Sequence, residues 1–287
     1  MQYLMLLGAA MLLAVSFSMQ KIYREIKEGT RSACGYNSVL GLFTAIIFFI
    51  INGCKFNFSP YSFLMAMLVN AFVTFYTLIG FKLLKSATMA TYTLFIMSGG
   101  MIVPYIYGIL FLNEDVSVLK IFGLLFVLGG VVFSNFSKEK INIKQLVMCV
   151  LIFLINGFVS VFSKLHQIEQ VFYKVNAEEF VMIGGIFKFI FAGILFMFTK
   201  NENGSKQSKK IALPVLVIVI SAAASGISYM LQLFGATSLP ATVLYPLVTG
   251  GSIIFSSLAG AMFFGDKLSK NAVIGIILCF MGTVMFL

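Results

Sequence analysis

Ten apolar runs divide the chain, each of a length that crosses or nearly crosses a bilayer core, for which a helix needs roughly 20 residues. They lie at Gln2–Met19, Gly35–Ile51, Ser62–Phe81, Thr88–Leu112, Leu119–Phe136, Leu146–Phe162, Phe180–Phe198, Ile211–Leu233, Thr242–Phe264 and Ala272–Leu287. Hydrocarbon offers the backbone no hydrogen-bond partner, so a spanning segment must be a helix or part of a closed barrel. Barrel strands are about 10 residues long and alternate in character. These runs are longer and apolar on all sides, which predicts helices. Composition agrees: 60% of residues are hydrophobic and only 10% charged, against about 25% charged in a soluble domain. The fold class expected is an all-α membrane protein with ten transmembrane helices and the lipid bilayer as its solvent.

The net charge of +10 would suit nucleic acid, but the bases sit in short loops between runs, with no basic stripe interleaved with aromatics. In that position they orient helices in the membrane, and no nucleic-acid partner is expected. Cys34, Cys54, Cys149 and Cys279 lack metal-ligand spacing and read as structural thiols; no metal site is expected. The sequence has no P-loop, no Asp-rich cluster to hold magnesium on pyrophosphate, and no paired carboxylates or Ser–His arrangement within a run. No catalytic residue and no cofactor are therefore assigned, and the chain does not read as an enzyme. Energy for any transport would come from a proton or ion gradient, or from the substrate's own.

Two runs carry poor helix formers at their centres: "YTLFIMSGGMIVPYIYGILFLNED" (Tyr92–Asp115) and "VLYPLVTGGSIIFSSLAGAMFFGDK" (Val243–Lys267). Setting Gly99-Gly100 on Gly250-Gly251 brings Ala90-Thr91 onto Ala241-Thr242 and Ser98 onto Thr249. After one inserted residue, "NEDVS" (Asn113–Ser117) faces "GDKLS" (Gly265–Ser269), Gly123 faces Gly275, and Gly130 faces Gly282. Upstream, "SFSMQK", ending at Lys21, matches "VSVFSK", ending at Lys164. Helices one to five thus repeat as six to ten. Five is odd, so the second copy enters the membrane upside down, giving two inverted five-helix repeats, a common transporter design. The repeats are placed at residues 1–137 and 138–287, with Ser137–Lys144 at the boundary.

Charge tests the inversion independently. Loop one–two holds Lys21, Arg24, Lys27 and Arg31, and its mate, loop six–seven, holds Lys164 and Lys174. Loop two–three has Lys55, against Lys200, Lys206, Lys209 and Lys210 in loop seven–eight. Lys82 and Lys85 in loop three–four face none in loop eight–nine, and Lys120 in loop four–five faces Lys267 and Lys270 in loop nine–ten. Every pair reverses. With Lys138, Lys140 and Lys144 from the central linker, the odd loops are the basic ones. The positive-inside rule then predicts a multi-pass protein of the cell membrane with odd loops in the cytoplasm and both termini outside.

Two five-helix halves, each closing with an acid, two residues, a Ser and a Gly-rich apolar helix, resemble the drug/metabolite transporter superfamily, in its EamA-type ten-helix branch. The residues that carry the resemblance are "FLNEDVSVLKIFGLLFVLGGVVF" and "FFGDKLSKNAVIGIILCFMGTVMF". It implies transport of a small molecule; the family's substrates include amino acids, sugars, nucleotide derivatives and organic cations.

Several residues are candidates for the substrate path. In a repeat-built carrier the site lies near the midplane, between the repeats. Lys188 in "GGIFKFIFAG" is the strongly basic residue deep in an apolar run; it either meets an anionic group of the substrate or snorkels along a tilted helix. Tyr76, Tyr92, Tyr229 and Tyr245 would offer hydroxyls or aromatic faces to a cation. Asn156 and Gln232 are polar groups inside apolar runs. Ser98, Thr249 and Ser252 flank the glycine pairs; the carbonyls that Pro104 and Pro246 leave free need a Ser, a Thr, water or substrate as partner, and these three are at hand. Glu114, Asp115 and Asp266 are expected to cap the helices that follow them or to pair with loop bases. Glu178 and Glu179 read as acids at a helix N-terminus, with a gate or proton-coupling role as the alternative. His166 is expected to stand in a polar loop. The reading is a secondary transporter moving a small polar or amphipathic metabolite by alternating access. The substrate is either an amino acid or related zwitterion or anion held by Lys188, or a choline-like organic amine in a Tyr-lined site. A membrane assembly protein that transports nothing is the alternative from another class, and monomer and homodimer are both open.

Overall fold

The computed structural model describes residues 2–27, 29–84, 89–135, 142–199, 212–265 and 269–286, with only the backbone at 89 and 90. All ten apolar runs form helices: α1 (Gln2–Ile26), α2 (Thr30–Ile51), α3 (Pro60–Leu83), α4 (Met89–Phe111), α5 (Val118–Ser134), α6 (Ile143–Ile168), α7 (Ala177–Phe198), α8 (Ala212–Ser238), α9 (Ala241–Phe264) and α10 (Lys270–Val284). Eight are long and apolar enough to cross a membrane, while α5 and α10 are shorter apolar helices. The repeat boundary and the loop of 200–211 fall outside the described residues.

Short polar residues start several helices. Ser59, Ser117, Asn176 and Ser269 each accept a hydrogen bond from the backbone N–H three residues on, satisfying an amide the first turn leaves open. Asn142 and Gln145 form a reciprocal capping box at α6. Lys144, expected in the linker, therefore lies in the first turn of α6.

Contacts run in alternating directions. Gly35 of α2 packs on Phe196 late in α7, while Asn52, past the end of α2, receives a hydrogen bond from Asn176 at the start of α7. The two helices are antiparallel and cross where a Cβ on Gly41 would stand 2.8 Å from the Gly185 carbonyl, and one on Gly185 2.8 Å from that of Gly41. The α5/α10 pair does the same at two levels. A Cβ on Gly130 would meet the Gly275 carbonyl at 2.7 Å, and one on Gly282 the Gly123 carbonyl at 2.7 Å. Small residues let backbones in lipid approach this closely, where hydrophobic exclusion contributes little.

Helix neighbours correspond between the halves. The pairs α1/α8, α1/α9 and α2/α8 have counterparts in α6/α3, α6/α4 and α7/α3. One asymmetry stands out. Helix α8 packs on α1, α2, α6, α7 and α9, whereas the substantial packing of α3 is confined to α6 and α7. A cleft beside α3 is left by that difference.

A Val at Gly130 would run into the Cys279 sulfur and the backbone of Gly275 and Cys279 and is expected to cost about 1–3 kcal/mol, read as a lower melting temperature of the purified protein in detergent. Ala at Gly8, where a Cβ meets nothing within 4 Å, is expected to leave the melt unchanged or raise it slightly.

Candidate functional site

The cleft is narrow and lies between α2, α3 and α7, lined by Cys34, Asn37, Val73, Thr74, Thr77, Phe81, Lys188, Ala192 and Leu195. Cys34 and Asn37 are early in α2, Thr77 and Phe81 late in α3, and Leu195 late in α7. The cleft therefore belongs to the end of the bundle where the odd-numbered loops lie. Lys188 sits at the midpoint of α7. Among the described residues, no hydrogen bond or ion pair reaches its ammonium group. A cation held at mid-helix without a counter-ion is costly, roughly 2.5–3.5 kcal/mol on insertion scales. Such a group is ready to receive an anion.

The other expected site residues divide into two groups. On α3 and α4, Tyr76 and Tyr92 pack beside Ile79, Leu83, Cys149 and Ile152, and the Tyr92 ring rests on Gly80. On and around α6, polar groups are already engaged. The Asn156 amide donates to the Ile96 carbonyl at 2.7 Å. Tyr229 shares a 2.7 Å hydrogen bond with Ser163, and the Tyr245 hydroxyl donates to the Ser160 carbonyl at 2.5 Å. Gln232 donates to Ser228, which in turn donates to the Ala9 carbonyl. Ser252 is buried and donates to the Thr249 carbonyl at 2.9 Å; Ser98 is buried as well. These residues tie α4, α8 and α9 to α6 and α1, and none of them lines the Lys188 cleft.

The carbonyl freed by Pro104 finds a serine, though on another helix. Proline lacks the N–H that would bond Gly100; the Gly100 carbonyl instead accepts from Ser160 of α6 at 3.2 Å, and Ser98 plays no part in this. Gly99 packs so tightly on the Phe153 backbone that no side chain fits there.

The opposite end, where the even-numbered loops lie, is closed by polar contacts that short-range reading missed. Lys164 was expected in a loop. It lies within α6, is buried, and donates to the carbonyls of Ala236 at 2.7 Å and Leu239 at 2.6 Å. Glu114 was expected to cap α5 or to pair with a loop base. Ser117 caps α5 itself, and the Glu114 carboxylate accepts from the N–H groups of Ala241 at 2.7 Å and Thr242 at 2.9 Å, at the start of α9. His166 was expected in a polar loop. It is fully buried inside α6, stacked on Phe180 at 3.9 Å and hydrogen-bonded to Ser62 at 2.8 Å. The Glu179 carboxylate, also buried, accepts from the backbone and side-chain N–H groups of Asn57. In the loop after α6, Glu169 accepts from the N–H groups of Val171, Gln170 and Phe172; the Val171 bond above all holds its carboxyl below the usual range. Asp266 lies outside the described residues. The described residues also contain no group of three His, Cys, Asp or Glu able to hold a metal.

A family model described as the EamA-like transporter family matches residues 143–287, just over half of the chain. No curated protein matches the sequence. A solved structure described only as "Crystal structure of protein" superposes with a TM-score of 0.75 at 16% identity, over 98% of this chain and 96% of that one; at that identity the likeness speaks for the fold alone.

Lys164, which is buried, and Lys188, which is half-buried, are expected to respond oppositely to substitution. Lys188→Met removes a charge without a partner and is expected to raise the melting temperature. Lys164→Met strands two carbonyls and is expected to lower it, by about 1–3 kcal/mol in stability.

Proposed function

The chain belongs to the EamA-like transporter family, and from that premise we propose that it is a secondary carrier, not an enzyme, which moves a small polar or amphipathic metabolite across the cell membrane by alternating access. Its two moving parts are inverted five-helix repeats, residues 1–137 and 138–287. The α5/α10 contacts support the inversion. Repeat matching sets Gly123 on Gly275 and Gly130 on Gly282. Exchanging the halves therefore turns the Gly123–Gly282 contact into the Gly275–Gly130 contact, and both occur. An antiparallel pair with that exchange symmetry has its twofold axis perpendicular to the helices, in the plane of the membrane.

The observation that carries the substrate reading is Lys188, a mid-helix cation without a counter-ion, in a cleft between α2 and α3 of one half and α7 of the other. It favours an amino acid or a related zwitterion or anion whose carboxylate meets the ammonium group. Asn37, Thr74 and Thr77 stand in the same cleft; each donates to a carbonyl of its own helix, which leaves their oxygens to accept from the ammonium group of a zwitterion. The choline-like alternative draws less support, because no Tyr is among the residues that line the cleft and the ammonium group of Lys188 would repel a cation. The other proposed path residues (Tyr76, Tyr92, Ser98, Asn156, Gln232, Thr249 and Ser252) form the walls against which the halves rock. By the charge rule the Lys188 cleft opens to the cytoplasm and both termini lie outside.

The test is uptake into liposomes containing the purified protein, over a panel of amino acids, organic anions and quaternary amines. Lys188→Gln is expected to lower uptake of the anionic or zwitterionic substrate by roughly 10- to 100-fold, the loss of one charge-assisted contact, while the variant stays monodisperse. Unchanged uptake in that variant, or preferred uptake of a quaternary amine, would overturn the assignment.

A further inference from the structure

Two charged side chains meet the joint between α8 and α9 from opposite chemical directions. The incoming helix ends in carbonyls, and the Lys164 ammonium group takes two of them, from Ala236 and Leu239. The outgoing helix starts in free amides, and the Glu114 carboxylate takes two of those, from Ala241 and Thr242. Each charge also complements the dipole of the helix end it touches. Glu114 reaches α9 because its own loop is built for it. Asn113 adopts a left-handed φ of 51°, and the Glu114 N–H bonds the Gly108 carbonyl at 3.0 Å. A Cβ at position 108 would lie 2.5 Å from the Glu114 carboxylate, so only glycine lets the side chain fold back there. Just below, Tyr245 and Tyr229 hold α9 and α8 to Ser160 and Ser163 of α6.

We infer that Glu114 and Lys164 form a latch that holds the even-loop end of the bundle shut, and that the carrier opens this end only when the latch releases the α8–α9 joint. The inference rests on the alternating-access reading and adds a gate to it. The chemistry suits a reversible closure. Lys164 is buried and Glu114 half-buried; such charges gain from their partners but regain hydration when exposed, so their net hold is modest. The latch therefore biases one state without fixing it. The four bonds link α4–α5 and α6 to one turn of chain, so they break together when α8 and α9 swing away.

Thiol labelling of the purified protein tests this without a known substrate. The background carries Cys54→Ser, which removes the exposed cysteine. Native Cys34 lines the cleft at the odd-loop end, and Ser163→Cys places a thiol behind the latch; because the thiol bonds Tyr229 more weakly than the hydroxyl does, every rate is compared within this one background. A maleimide is applied in detergent and labelling is read peptide by peptide. Glu114→Gln is expected to raise labelling at position 163 about tenfold or more and to slow labelling of Cys34, as the population moves between states. Lys164→Met is expected to do the same, and the double variant to add little, because both act on one joint. Asp115→Asn, one residue from the latch, is expected to leave both rates unchanged. Faster labelling at both positions in the latch variants, or rates equal to those of Asp115→Asn, would overturn the inference. Reciprocal labelling in a protein that moves no metabolite would keep the latch and reject the carrier. Robust transport with labelling indifferent to Glu114 would do the reverse.

Discussion

Everything in this molecule follows from close backbone approach inside a solvent that forms no hydrogen bonds. In hydrocarbon the chain must satisfy its own amides, which makes helices. Helices there gain little from hiding apolar surface, so they associate where small residues let them touch. The Gly41/Gly185 and Gly130/Gly275 crossings are those places. They fix α2 against α7 and α5 against α10, and each joins one half of the chain to the other. Because glycine surrenders helix propensity, its presence at helix centres marks packing that the rest of the bundle depends on.

On that frame the polar groups are distributed unevenly. The even-loop end is tied by Glu114, Lys164, His166 and Glu179, each of which finds a partner on another element. At the odd-loop end a cleft runs in beside α3 as far as Lys188. On the proposed reading, a bundle tied at one end with a narrow cleft at the other is one half of an alternating-access cycle. The arrangement also separates tasks: engaged charges hold structure, and the cation without a counter-ion is the one the proposed function assigns to the solute.

Much of the fold was legible in the chain, and less of the site. Apolar run length located all ten helices because lipid demands it. The errors came where polarity was read as loop. Lys164 and His166 end α6 inside the protein, since their partners are the carbonyls of Ala236 at the end of α8 and of Leu239 just past it, and the hydroxyl of Ser62 on α3, far away in sequence. Glu114 looked like a local cap, and nothing within four residues hints that it reaches Ala241. One signal could have placed Lys164: its match with Lys21 puts both at equivalent helix ends rather than in a loop. Lys188 was legible because a lone charge in a long apolar run has few explanations. Asn156 was legible as a polar intrusion, but its engagement with Ile96 required the geometry of α4.

The central claim is that the two ends of the bundle open in turn. Spin labels at Thr77 and Leu195 span the cleft end, and labels at Asp115 and Thr237 span the latched end, for distance measurement by pulsed electron resonance in lipid nanodiscs. The account predicts two distances for each pair, with the fraction long at one end matching the fraction short at the other. A single unmoving distance at both ends, or both lengthening together, would contradict it.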